Sequence, residues 1–72
     1  MSNSPTIVLT VNGSVRDVAV ETTVIDIISL LEVEPRGIAV ALNGTVIPKS
    51  RWAQTPLNDA DEVEIVTAAA GG

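Results

Sequence analysis

Two Asn-Gly pairs constrain the fold of this chain more than any other feature of its sequence. Each pair separates two runs rich in apolar and β-branched residues, with Asn12-Gly13 between 6–11 and 15–20, and Asn43-Gly44 between 38–42 and 46–47. Asn-Gly is the strongest short-range hairpin signal, because both central residues of a type I′ turn need a positive φ. The sequence therefore predicts two β-hairpins, and Pro48 ends the last and shortest of their strands.

The segment between the predicted hairpins changes from the period of a strand to that of a helix. The apolar residues that form one helical stripe are Val24, Ile27, Ile28 and Leu31. Thr23 is a suitable N-cap, and Asp26 three positions later can complete a capping-box exchange. Because Pro35 disfavours the helical conformation at the residue before it, we expect the helix to stop near 32–34.

The remainder of the chain contains one more predicted strand. Residues 49–56 form a polar connection, residues 57–61 form a turn, and alternation over 62–66 predicts a strand with Val63 and Ile65 on one face. A single helix whose apolar stripe covers one face of a small mixed sheet solves the burial problem for this order of elements. The sequence therefore predicts an α+β fold of the β-grasp, or ubiquitin-like, class.

Composition limits both the size of the fold and its chemistry. The chain has 72 residues and is 46% hydrophobic, so residues 1–72 form a single domain with enough apolar mass to collapse. The absence of cysteine and histidine excludes disulfides, thiolate metal sites, thiol nucleophiles and the usual near-neutral proton shuttle. A net charge of −5 disfavours nucleic acid as a partner. No apolar run approaches the ~20 residues that span a bilayer, so we expect a cytoplasmic protein that is not a self-contained enzyme.

Two further features have both a structural and a functional interpretation. The acidic cluster of Asp59, Asp61, Glu62 and Glu64 lacks the spacing of a calcium loop. A solvated turn and polar strand face are therefore favoured over metal binding or paired-carboxylate catalysis. Trp52, the only aromatic residue, is expected to cover one end of the core with its indole N–H on a nearby carbonyl, rather than to anchor a partner. We therefore predict no catalytic residue and no metal ligand in the chain.

Both ends of the chain are predicted to lie outside the packed domain. Residues 1–5 are expected to fray, and residues 67–72 to form a flexible tail without charged side chains. Ala70, Gly71 and Gly72 are slender enough to thread a narrow tunnel in another protein. A carboxylate at Gly72 is ionised at neutral pH and is a poor electrophile, so it needs activation, as in an acyl-adenylate made from ATP. An inert end is the alternative.

Several segments carry a resemblance to a known family: Val11-Asn12-Gly13, Gly37-Ile-Ala-Val-Ala-Leu-Asn-Gly44, Val46-Ile-Pro48, Trp52-Ala-Gln-Thr-Pro-Leu57 and Val63-Glu-Ile-Val66, ahead of Gly71-Gly72. Nearly the whole chain thereby resembles the ThiS family, the sulfur carriers of thiamine thiazole biosynthesis. The Trp-Ala-Gln-Thr-Pro-Leu segment is the most discriminating piece, since Gly-Gly is shared with other ubiquitin-like proteins.

The resemblance implies a β-grasp fold and chemistry at Gly72. An E1-like adenylyltransferase would use ATP and Mg²⁺ to adenylate the Gly72 carboxylate, and a cysteine desulfurase system would supply sulfur for a Gly72 thiocarboxylate. That thiocarboxylate would donate sulfur to thiazole synthase as the ring is built. The chain would bind no cofactor itself and would be a protein co-substrate.

The residues by themselves leave other functions open. The same tail chemistry fits the small subunit of molybdopterin synthase, and a Gly-Gly end also fits a ubiquitin-like modifier joined to lysine. A plain interaction domain with an inert tail is a further alternative. The predicted faces of the strands suggest an exposed apolar surface that includes Val8, Ala39, Ala41 and Val66.

The chain departs from its relatives in the turn before the last strand. Relatives usually have Asp-Gly-Asp there, and this chain has Asp59-Ala60-Asp61. A positive φ at Ala60 would cost about 1–2 kcal/mol. We therefore expect the turn to shift so that Asn58 or Asp59, which tolerate this conformation better, adopts it instead.

Overall fold

A computed structural model describes residues 5–67, which form five strands, one α-helix and one 3-10 helix. The elements are Thr6–Val11 (β1), Ser14–Ala19 (β2), Val24–Leu30 (α1), Ile38–Leu42 (β3), Thr45–Ile47 (β4), the 3-10 helix Lys49–Gln54, and Glu62–Thr67 (β5). The strands form a single sheet in the order β2-β1-β5-β3-β4. β5 pairs parallel with β1 and antiparallel with β3, so the sheet is mixed.

Both predicted hairpins are confirmed. β1 pairs antiparallel with β2, and β3 pairs antiparallel with β4. At the first turn φ is 52° at Asn12 and 84° at Gly13, and at the second it is 52° at Asn43 and 86° at Gly44. The asparagine and glycine of each turn therefore adopt the positive φ that these residue types tolerate.

One face of the sheet packs on the helix and forms the core. Val24, Ile27 and Ile28 are buried, and they pack in one hydrophobic cluster with residues from the sheet such as Leu9 and Val40. Fully burying an aliphatic side chain stabilises the fold by about 1.5–3 kcal/mol, so this stripe holds a helix of weak intrinsic propensity. The prediction of a β-grasp fold, one helix on a small mixed sheet, is confirmed.

The helix begins as predicted and ends earlier. Thr23 is the N-cap, and the capping box with Asp26 is present. α1 ends at Leu30 because Glu32 adopts a φ of 59°. The N–H of Glu32 then donates to the Ser29 carbonyl (3.1 Å), and the next N–H along the chain, at Val33, donates to the Ile28 carbonyl (3.2 Å). This Schellman arrangement, not Pro35, terminates the helix.

The predicted polar connection after β4 contains the 3-10 helix, an element that the sequence did not predict. Its Trp52 is 2% exposed. The indole Nε1 donates to the Ile47 carbonyl at 2.9 Å. The interpretation of Trp52 as a core residue with a carbonyl partner is therefore confirmed.

The turn before β5 differs from the sequence prediction. Ala60 itself has a φ of 73°, so the expected shift to Asn58 or Asp59 was wrong. Long-range contacts hold Ala60 in place: its N–H donates to the Val8 carbonyl at 2.7 Å, and the Val8 N–H donates to Asp59 Oδ1 at 2.8 Å. These bonds to β1 specify the register of the turn.

The boundary of the predicted tail also changes by one residue. Thr67, placed at the start of the tail, is the last residue of β5 and is paired with Ile38. β3 begins at Ile38, so it offers a partner to β5 as far as this position. The predictions for residues 1–4 and 68–72 lie outside the described part of the chain.

Candidate functional site

The predicted reactive residue and its neighbours, Gly72, Gly71 and Ala70, lie outside the residues that the structure describes. The structure does describe β5, the strand that precedes them in the chain. β5 lies in the middle of the sheet, between β1 and β3. The described structure therefore bears on the predicted site through the position and the pairing of β5.

β5 is not supported equally along its two sides. Its pairing with β3 runs from Leu42↔Val63 to Ile38↔Thr67. Its parallel pairing with β1 is shorter and consists of Thr10↔Glu62 and Val11↔Val63. β1 ends at Val11, and the first hairpin turn follows it, so β1 offers no strand partner to the residues of β5 after Val63.

The asparagines of both hairpin turns bond to β5 or to the turn that precedes it. Asn12 Oδ1 accepts from the Ile65 N–H at 2.8 Å, and Asn12 Nδ2 donates to the Ile65 carbonyl at 3.2 Å. Asn43 Oδ1 accepts from the Glu62 N–H at 2.9 Å, and Asn43 Nδ2 donates to Asp61 Oδ1 at 2.9 Å. The sequence predicts both asparagines only as turn formers. Both asparagines precede a glycine, and this pattern predicts a turn. Their hydrogen-bond partners lie 53 and up to 19 positions away in the sequence, so the pattern does not predict them.

The acidic cluster divides into structural and exposed members. Glu62 and Glu64 are exposed, as predicted for a polar strand face. Asp61 is only 9% exposed, so the expectation of a solvated turn was wrong at this residue. Its Oδ2 accepts from the Asn58 N–H at 2.8 Å, while its other oxygen accepts from Asn43. Within residues 5–67, no group of three or more acidic side chains is placed to hold a metal ion.

The face of the sheet away from the helix carries exposed apolar side chains. Val8 and Val66 are exposed, as predicted, whereas Ala39 and Ala41 are half-buried. Val15 and Val46 add to the exposed set at 70% and 66%. Glu64 pairs with Ala41 and is exposed, so acidic and apolar groups are interleaved on this face.

A groove of about 350 Å³ runs between β2 and α1. Its lining includes the carboxylates of Asp17 and Asp26. Asp26 already accepts from the Thr23 N–H at 3.0 Å and is part of the helix cap. The groove therefore offers no pair of free groups arranged for acid–base catalysis.

Among the described elements, α1 is the one α-helix, and it is too short to cross a membrane.

A single helix packed on a mixed five-stranded sheet, with the central strand leading to Gly71-Gly72, defines a ubiquitin-like β-grasp domain. A crystal structure of the thiamine biosynthesis protein ThiS from Geobacter metallireducens has the same fold. It superposes with a TM-score of 0.80 at 33% identity, over 92% of this chain and 100% of that one. The chain belongs to the ThiS family, which it matches over residues 9–72.

Two relatives in other organisms are similar in sequence. The chain is 30% identical over 61 residues to the sulfur carrier protein ThiS of Escherichia coli K12, covering 85% of this chain and 92% of that protein. It is 39% identical over 64 residues to a thiazole synthase of Paramagnetospirillum magneticum, covering 89% of this chain. That alignment covers 20% of the synthase, so the chain spans about a fifth of the length of this relative.

Proposed function

We propose that this chain is a sulfur carrier for thiamine biosynthesis and that its reactive group is the carboxyl of Gly72. In this proposal the carboxyl is first adenylated and then converted to a thiocarboxylate, which donates sulfur for thiazole formation. Membership of the ThiS family supports the role of sulfur carrier. The proposal adds the chemical steps at Gly72.

The observation that carries the proposal is the extent of the family match. It runs from residue 9 through residue 72 and so includes both the folded domain and the Gly71-Gly72 pair. The Escherichia coli relative that is named a sulfur carrier aligns over 92% of its own length. Similarity over a whole small domain supports a shared role better than a Gly-Gly pair by itself.

The chemistry of the described residues is consistent with a carrier that other enzymes act upon. Asp59 and Asp61, two members of the acidic cluster, are occupied by hydrogen bonds that build the turn before β5. The full sequence has neither histidine nor cysteine to act as a proton shuttle or nucleophile. The chain's part is then to present Gly72, while the activating partner uses ATP and Mg²⁺.

We further propose three partners, each identified by a step of the cycle. An E1-like adenylyltransferase would join the Gly72 carboxylate to the AMP part of ATP, with pyrophosphate as the leaving group. A cysteine desulfurase system would supply the sulfur that displaces AMP. Thiazole synthase would accept the sulfur, and the similarity of this chain to part of a protein of that name supports the pairing.

Intact-protein mass spectrometry tests the proposal. We expect that incubation with an E1-like adenylyltransferase, ATP, Mg²⁺ and a sulfide source replaces one oxygen of the chain by sulfur. Deleting Gly72 should abolish the change, and Gly71→Val should slow it, because a β-branched residue adds bulk and restricts φ. Glu64→Ala is the control, since the exposed Glu64 side chain should affect association rate and salt dependence more than chemistry. Unchanged conversion after deletion of Gly72 would refute the proposal.

Genetic complementation separates the acceptors. The chain should restore growth to a strain that lacks its thiamine sulfur carrier and should not restore a strain that lacks the small subunit of molybdopterin synthase. Rescue of only the second strain would replace thiazole formation by molybdenum cofactor synthesis.

A further inference from the structure

β5 loses one of its two neighbours before it ends. β1 pairs with it only as far as Val11↔Val63, and the backbone N–H of Asn12 adds one last bond to the Val63 carbonyl at 2.9 Å. After Asn12 the backbone of β1 turns away into the hairpin. The last residues of β5, up to Thr67, therefore have a strand partner only in β3.

The side chain of Asn12 continues the ladder where the backbone of β1 leaves it. Its amide binds both the N–H and the carbonyl of Ile65, at 2.8 and 3.2 Å. A primary amide carries the same donor and acceptor as a peptide group, so Asn12 substitutes for the next residue that β1 would have provided. Two bonds to one residue set the orientation of the strand as well as its distance.

Few residue types satisfy both demands of this position. Asn12 has a φ of 52°, which favours glycine, asparagine and aspartate. Glycine has no side-chain amide, and ionised aspartate can accept from the Ile65 N–H but has no donor for the Ile65 carbonyl. Asparagine therefore meets the turn requirement and the bonding requirement together.

The second Asn-Gly turn provides a comparison within the same molecule. Asn43 has the same φ of 52°, and its side chain also makes two bonds, to the Glu62 N–H and the Asp61 carboxylate. Those bonds lie at the start of β5, whereas Ile65 lies two positions before Thr67. The Asn43 turn therefore holds the start of β5, and the Asn12 turn holds its second half.

We propose that Asn12 is a positioning residue that sets the orientation of the last residues of β5, Val66 and Thr67, after which the chain continues in sequence to Gly72. The inference rests on the proposed function only in taking Gly72 as the reactive residue. Asn12 acts through the Ile65 backbone, to which its side chain bonds. Asn43, by contrast, contributes to the stability of the domain.

Matched variants separate these roles. Asn12→Gly and Asn43→Gly both retain a residue that accepts a positive φ, and each removes two side-chain hydrogen bonds. Steady-state ¹⁵N NOE values report motion on the ps–ns timescale. We expect them to fall at Val66 and Thr67 in Asn12→Gly and to stay at the wild-type level there in Asn43→Gly. Asn12→Asp should give an intermediate value because it retains one of the two bonds.

Kinetics of thiocarboxylate formation supply the second measurement. Misplacement of a reacting group by about 1 Å can cost up to about 100-fold in rate. We therefore expect the kcat of the activating enzyme to fall about tenfold with the Asn12→Gly chain as its substrate, and its KM for the chain to stay unchanged. Asn43→Gly should keep kcat within about twofold at a comparable or larger loss of stability. Equal NOE values at Val66 and Thr67 in the two glycine variants, or an equal fall of kcat, would overturn the inference. If the wild-type chain is not converted at all, the proposed function fails, and the NOE comparison alone decides the role of Asn12.

Discussion

The two Asn-Gly turns and the turn at Ala60 reach the same backbone region by different routes. Asn12 and Asn43 both have a φ of 52°, and Ala60 has a φ of 73°. Asparagine and glycine tolerate the left-handed region, whereas an alanine pays about 1–2 kcal/mol to enter it. The Asn-Gly turns are therefore products of local sequence, and the Ala60 turn must be stabilised from outside.

The stabilisation of the Ala60 turn comes from its hydrogen bonds. Ala60 and Asp59 together make two bonds to the backbone of Val8, and the Asp61 carboxylate accepts from Asn58 and Asn43. Neutral hydrogen bonds contribute about 0.5–1.5 kcal/mol each, and those to charged groups about 1.5–3 kcal/mol. Their sum exceeds the strain at Ala60, so the tertiary contacts decide the conformation.

The largest effect is expected from removing the buried carboxylate of this turn. Asp61→Ala removes the acceptor of the Asn58 N–H and of Asn43 Nδ2, so we expect a loss of about 2–4 kcal/mol in the free energy of unfolding. Urea denaturation measures it. The control is Glu62→Ala, whose exposed side chain should change stability by less than about 0.5 kcal/mol. Equal effects of the two substitutions would show that Asp61 does not hold the turn.

A smaller loss is expected from adding a side chain to an Asn-Gly turn. Gly13→Ala places a Cβ at a φ of +84°, with no atom within 4 Å of it. Backbone strain is thus the only penalty, and we expect about 1–2 kcal/mol of destabilisation. Gly44→Ala, at a φ of +86°, should give the same value in the same denaturation experiment. A neutral result at both positions would contradict the strain that we assign to Ala60.

The smallest effect, of opposite sign, is expected at Ala60. Ala60→Gly relieves about 1–2 kcal/mol of strain and adds about 0.5–1 kcal/mol of chain entropy to the unfolded state. We therefore expect a gain of about 0.5–1 kcal/mol, which raises Tm by about 2–8 °C in a domain of this size. Ala53→Gly is the matched control, because Ala53 lies in the 3-10 helix and is exposed, and its replacement should destabilise the protein. Destabilisation by Ala60→Gly would mean that the turn carries no strain.

Much of the sheet and of the candidate site could be predicted from residues that are close together in sequence. The Asn-Gly pairs predicted both hairpins, and the stripe with its Thr23–Asp26 cap predicted the helix, because turn type, capping and helical period involve residues a few positions apart. Trp52 was predictable as a core residue because a chain with a single aromatic side chain has few other ways to close a small core. Gly71-Gly72 and the surrounding motifs indicated the family from sequence alone, as the family match also does.

The tertiary structure decided what depends on residues distant in sequence. Asn12 and Ile65 are 53 positions apart, so the turn signal at Asn12 carried no information about its bonds to β5. Ala60 adopts a conformation opposed to its own preference because Val8, in a strand from the other end of the chain, fixes the register of the turn. Likewise, Asp61 is buried because Asn43 and Asn58 meet around it, which no spacing rule for carboxylates predicts. The local sequence specified the two hairpins and the α-helix, and the contacts between elements specified how β5 is held.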